Sequence, residues 1–151
     1  LLEAKEAEGK KLAEDMINRL ELINENILNI SQYSTGLIDQ YVVKLKDRIK
    51  EMLQTDIVDE ARISQEVVLY ADKTSIEEEI TRLKSHIVQF KELLQSESIK
   101  KAGKRLDFII QEMNREVNTI GSKSNCLEIT NLVIELKTEL EDVREQVQNI
   151  E

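Results

Sequence analysis

Residues 75–94 read SIEEEITRLKSHIVQFKELL, residues 100–108 read KKAGKRLDF, and residues 109–123 read IIQEMNREVNTIGSK. In the first segment Ile76, Ile80, Leu83, Ile87, Phe90 and Leu94 recur in steps of 4, 3, 4, 3 and 4. That is the apolar stripe of an amphipathic helix. In the last two segments Leu106, Ile110, Met113, Val117 and Ile120 repeat it. At about 100° per residue, Glu79, Arg82, His86 and Gln89 line one flank of the first stripe, with Glu79 and His86 nearest the core. Arg105, Glu112 and Glu116 fall on one side of the second stripe, and Asp107, Gln111, Asn114 and Asn118 on the other. Solubility alone asks for any mixture of Glu and Lys outside the core. This order of amides, carboxylates and arginines points to a site or a buried polar network.

The chain has 151 residues, no Pro, four Gly and few aromatics, and 34% of it is charged. Abundant, periodic apolar residues in such a composition predict an all-α protein with a real core rather than a disordered one. Cys126 is the single cysteine, which excludes an internal disulfide and a cysteine-rich zinc site and fits a reducing cytoplasm. Its spacing predicts a small buried residue near a helix start. No apolar run approaches the ~20 residues of a membrane span, and no signal peptide is visible. The net charge of −9 argues against a general nucleic-acid coat, because phosphate binding is electrostatic at base. It leaves room for a local basic patch and for acidic metal ligands.

A helix from Leu2 to about Ser31 carries Leu12, Met16, Leu20, Ile23, Ile27 and Ile30 on its seam, and Ser34-Thr35-Gly36 interrupts it. A second helix carries Ile38, Tyr41, Leu45, Ile49 and Met52. Together they predict a long antiparallel hairpin over residues 1–55 whose seams bury each other. Residues 56–151 then form a compact bundle of about four helices. The third helix, Asp56 to about Asp72, is capped by Asp56 or Asp59 and is apolar around much of its circumference, which predicts burial on more than one side. Ser75-Ile76-Glu77-Glu78 reads as a capping box for the fourth. Gln95–Gly103 is the least helical joint, Gly121 a C-cap of the fifth helix, and Leu127–Ile150 the sixth, with Leu132, Leu136, Leu140, Val143, Val147 and Ile150 as its seam.

The chain lacks a phosphate loop, a dinucleotide fingerprint, HExxH and an EF-hand. Cys126 and His86, 40 positions apart, make no nucleophile–base pair. Two features carry chemistry. His86, the only histidine, shares a flank with Glu79, and imidazole is the side chain that exchanges protons near neutral pH. Lys100, Lys101, Lys104 and Arg105 place four cations in six positions of an acidic chain. They suit a phosphate group, or else simply neutralise a helix C-terminus and a solvated loop. Arg62 and Glu66 read as a surface pair at i,i+4.

GKRLDFIIQEMNREVNTIGSKS with the closing REQVQNIE, and before them ARISQEVVLYAD and SIEEEITRLKSHIVQF, resemble the C-terminal half of the YicC/YloC family, closely over about residues 56–151 and loosely over the preceding helices. The family reads Gly-Arg-Arg where this chain has Lys104, which keeps the charge and loses a bidentate fork. The chain opens LLEAKEAEGKK, without Met, and the family has a further N-terminal half, so the expectation is a C-terminal half without its companion. The resemblance implies a bacterial, cytoplasmic, metal-dependent endoribonuclease acting on single-stranded RNA within a homo-oligomer, a hexamer at full length. It also keeps Arg62 and Glu66 as site candidates.

Two chemistries fit that implication. Glu79, Glu112 and Glu116 hold a divalent metal cation, Mg²⁺ or Mn²⁺, that activates water. Alternatively, His86 with a carboxylate works on the 2′-hydroxyl while Arg82, Arg105 or Arg115 stabilises the phosphorane. The family's metal dependence favours the first. Catalytic candidates are thus His86, Glu79, Glu112 and Glu116. RNA-binding candidates are Arg82, Lys100, Lys101, Lys104, Arg105, Arg115 and Lys123. Two other functions compete: an RNA adaptor without catalysis that delivers small regulatory RNA to an exoribonuclease, and a structural helical oligomer.

Overall fold

A computed structural model describes residues 2–54 and 57–150. Among them run six helices: α1 Leu2–Thr35, α2 Leu37–Leu53, α3 Glu60–Thr74, α4 Glu77–Ser96, α5 Ile99–Lys123 and α6 Leu127–Ile150. The all-α class, the long N-terminal helices and the helical bundle are all as the sequence predicts. The expected boundary between residues 55 and 56, the cap Asp56 and the side chain of Ile150 lie outside the described residues.

The core belongs to α1, α4, α5 and α6. Every apolar residue named above on the α4 and α5 stripes is buried, and Phe90, Leu83, Leu106, Ile110, Met113 and Ile120 are fully enclosed. Burying each such side chain stabilises the fold by about 1.5–3 kcal/mol. The α1 seam, Met16 to Ile30, is equally dry, but it packs against α4 and α6 rather than against α2. On α6 the seam opens with Ile129 and Val133, and Leu132 is only partly buried.

The hydroxyls of Ser34 and Thr35 donate to the carbonyls of Ser31 and Gln32 at 3.0 and 2.8 Å. These bonds compete with the helix ladder, and the chain bends at Gly36. No residue of α2 is buried. It runs antiparallel to α3, with Tyr41 stacked on Tyr70 at 3.9 Å between centroids and Lys46 3.6 Å from Glu60. Asp59 caps α3 through the amides of Ala61 and Arg62. The expectation of burial on several sides of α3 fails. Only Ile63 is buried, while Val68 and Leu69 face solvent, because α3 packs mainly on one helix, α2, instead of on several.

Three local expectations are corrected. Ser75 is extended and ends α3, so the capping box does not form, and Ile76 stands at the start of α4 without a side-chain cap. The Gln95–Gly103 joint shrinks to Glu97-Ser98, since the Ser98 hydroxyl accepts from the Lys101 amide and starts α5 early. Gly121 does not end α5, which continues to Lys123. A Cβ on Gly121 would lie 3.3 Å from Cγ1 of Val133 on α6, so this glycine marks a close helix approach. Val133 is buried and stiff at χ1. Gly121→Leu is therefore expected to overpack by about 1–3 kcal/mol, roughly 2–4 °C in Tm per kcal/mol at this size. Gly9 has nothing near it, and Gly9→Ala should raise Tm slightly through helix propensity. Thermal unfolding of the two variants side by side checks this.

Candidate active site

The two flanks read from the sequence face each other across the α4–α5 groove. Glu79 and Glu116 are its buried acids, 3% and 8% exposed. Lys123, at the end of α5, donates to the Glu79 carboxylate at 2.7 Å and to the carbonyl of Ser75 at 3.1 Å. Arg82 Nε donates to Glu116 at 2.8 Å, while its other nitrogens lie 3.5 Å from Glu78 and 3.7 Å from Glu79. The spacing of Glu78 and Glu79 to Arg82 puts all three on adjoining turns. Burial pushes the Glu79 carboxyl up, but the Lys123 hydrogen bond and the charges of Lys123 and Arg82 outweigh it. Glu79 thus stays below the usual carboxylate range. The Glu116 hydrogen bond raises Arg82 further above its already high value. One oxygen of Glu79 remains buried without a partner.

Pairing Glu79 with Lys123 and Arg82 with Glu116 fixes an antiparallel register for α4 and α5, and it brings His86 level with the turn of α5 holding Glu112. His86 is half-buried, its Nδ1 is enclosed without a hydrogen-bond partner, and no bond joins it to Glu79. Glu112 lies 3.7 Å from Arg115 on its own helix. Further along the groove Gln89 and Ser96 face Lys104 and Arg105.

Lys100, Lys101, Lys104 and Arg105 do not sit at a helix C-terminus or in a loop. They occupy the first two turns of α5, all exposed. Glu97 holds Arg105 at 2.8 and 3.1 Å. Arg105 and Glu116 are eleven residues apart, about 16 Å along the axis. The basic cluster and the buried acids therefore mark opposite ends of one groove. Lys123, expected beside RNA, is instead engaged with Glu79, and Arg62 and Glu66 lie exposed on α3, away from both. Cys126 is half-exposed and donates to Glu128 at 3.0 Å, where a buried residue is expected from the sequence.

The opposite flank of α5 has a partner that the sequence reading leaves unassigned. Asp107 lies 3.5 Å from Arg144 on α6 and accepts from Gln111 at 3.2 Å. This accounts for part of the closing REQVQ motif within the chain itself. Asp107 follows core residue Leu106 and Arg144 follows core residue Val143, a flanking pattern the sequence does contain. Between α1 and α6, Asn26 donates to Glu139 at 3.1 Å. Burial, with Glu135 nearby, holds Glu139 above the carboxylate range. A raised folded pKa means that ionisation costs stability once pH exceeds it, and the cost vanishes below the unfolded value near 4.3. Glu139→Gln should raise Tm by a few degrees at neutral pH, with the gain closing as pH falls toward 4; unfolding curves at several pH values check it.

Glu79, Glu112 and Glu116 do not form a ligand set by themselves. Each is turned toward a cation, and among the described residues no three His, Cys, Asp or Glu side chains converge as metal ligands. No described helix is long and apolar enough to cross a membrane.

Fold and groove define an all-α protein whose central helix pair carries an acidic end and a basic end. The chain belongs to the YicC-like endoribonuclease family: the family model described as Endoribonuclease YicC-like, C-terminal, matches residues 30–151. It is 54% identical to the "Probable endoribonuclease YicC" of Clostridioides difficile over all of this chain and 51% of that protein. It is 33% identical to the protein of the same name from Haemophilus influenzae over 95% of this chain and 49% of that one. The chain thus spans about half the length of these relatives, and the likeness takes in the helices before residue 56, where the resemblance read from the sequence is looser.

Proposed function

We propose that this chain is the RNA-holding and catalytic helical half of an endoribonuclease that cleaves single-stranded RNA. The observation that carries the reading is the α4–α5 groove. Its basic end attracts phosphate, and its other end holds Arg82 in a fixed orientation between Glu78, Glu79 and Glu116. An arginine half-exposed and oriented in this way can present its free guanidinium edge to a phosphate oxygen as charge develops. His86, between the two ends, is the candidate for moving a proton at the 2′-hydroxyl or the leaving oxygen.

Metal dependence, with Mg²⁺ or Mn²⁺, is part of the proposal. This chain's contribution to it is an acidic, cation-balanced wall rather than a full ligand set. The active form is a cytoplasmic homo-oligomer, a hexamer in the simplest version. The deciding experiment incubates highly purified protein of full family length with RNA, with EDTA or Mn²⁺, and analyses product ends. Metal-activated water leaves 5′-phosphate, and 2′-hydroxyl attack leaves a 2′,3′-cyclic phosphate. RNA bound but uncut in every condition would reject cleavage. The adaptor reading, delivery of small RNA to an exoribonuclease, would then stand. It draws on the same pairings, because each candidate carboxylate already facing a cation also suits a purely structural network.

A further inference from the structure

We infer that the basic end of the α4–α5 groove is a nucleotide subsite in which Phe108 stacks on one RNA base while Lys104 and Arg105 hold a neighbouring phosphate. The inference rests on the RNA reading above and narrows it to one place and one contact. The groove there has a volume of about 520 Å³, within the range of small-molecule sites. Phe108 stands in its wall 62% exposed, whereas the chain's other phenylalanine, Phe90, is fully buried. An isolated exposed ring is ordinary, but this one is not isolated. Lys104 and Arg105 precede it by four and three residues, and so share its face one turn away.

Leu93 and Ile109 give the groove apolar walls, which suit the face of a base. Gln89 and Ser96 supply donors and acceptors for a base edge. Glu92 also lines it and repels phosphate, which leaves the Lys104 end for the backbone. An aromatic platform beside backbone-tracking cations is the combination by which single strands are held without sequence preference. Arg105 would share its guanidinium between Glu97 and phosphate, so Lys104 carries the larger part of the new charge contact.

The test uses protein of full family length and two fluorescein-labelled probes of equal length and charge: an oligoadenylate and an abasic ribose-phosphate strand. Binding is read by anisotropy across a salt series. Phe108→Ala should weaken oligoadenylate binding about tenfold or more, with the salt slope, the abasic affinity and the unfolding midpoint unchanged. Phe108→Trp should restore the affinity. Equal oligoadenylate affinity in Phe108→Ala and the unmodified chain would overturn the subsite and leave the RNA reading in place. Equal losses for both probes would also overturn it, since the ring would then act through the position of the cations. Unmodified full-length protein that binds neither probe at low salt removes the RNA reading, and the subsite with it.

Discussion

His86→Asn is expected to reduce RNA cleavage about 10²–10⁴-fold while leaving RNA affinity and the fold in place. The expectation rests on position and on an unmet bond. His86 lies on the flank of α4 that carries Arg82, level with Glu112 across the groove, and its Nδ1 is enclosed without a protein partner. A histidine retained only for structure would spend that nitrogen on a hydrogen bond, because a buried unpaired polar atom costs about 1–3 kcal/mol. Asparagine keeps a polar group of similar reach but cannot exchange a proton near neutrality. Single-turnover rates across pH, with binding measured separately, decide between roles. Loss of one limb of the pH profile identifies an acid or base. Partial recovery with added Mn²⁺ identifies a ligand. A lower Tm with full activity in the folded fraction would return His86 to structure and leave the carboxylates and arginines as the site.

The stripes and flanks of α4 and α5 were legible because helical periodicity is local: each assignment needs only spacing along one segment. Which flank met which neighbour was not local. Arg82–Glu116 joins residues 34 positions apart, and Asp107–Arg144 joins two helices whose facing depends on the whole bundle. The same limit explains α1. Its seam, Met16 to Ile30, is plain in the sequence, but nothing in the spacing says whether α2 or the bundle covers it. Asp59 caps α3 as its sequence position predicts, but two other predicted helix ends fail for a related reason. Ser75 has the right chemistry to start α4, yet its carbonyl accepts from Lys123, and that long-range bond accompanies an extended backbone at the position. Gly121 reads as a helix stop by composition and is a contact point by packing, because only the proximity of Val133 reveals its role.

Replacing Lys100, Lys101, Lys104 and Arg105 together with Ala is expected to separate RNA binding from stability more sharply than any other change. If all four reach phosphate, the log–log salt slope for a single strand falls by about 0.7 × 4 ≈ 2.8. Near ~0.1 M salt that corresponds to roughly a 10²–10³-fold loss of affinity. The structure narrows the bland account of these residues. Within α5 the four cations add positive charge to the positive end of their own helix, while Lys104 and Arg105 also line the groove beside Leu93 and Ser96 in the last turn of α4, where positive charge is favourable. Their removal should leave Tm unchanged or raise it, with only the exposed Arg105–Glu97 pair lost, and such pairs contribute little. Salt-dependent anisotropy and thermal unfolding on the same samples make the comparison. A fall in slope near 2 counts three phosphate contacts, as expected if Glu97 keeps Arg105. An unchanged slope places the phosphate elsewhere, with Arg82 the next cation in line along the groove. A large fall in Tm would mean that the cluster serves the fold, and that four like charges at a helix N-terminus are balanced by groups other than RNA.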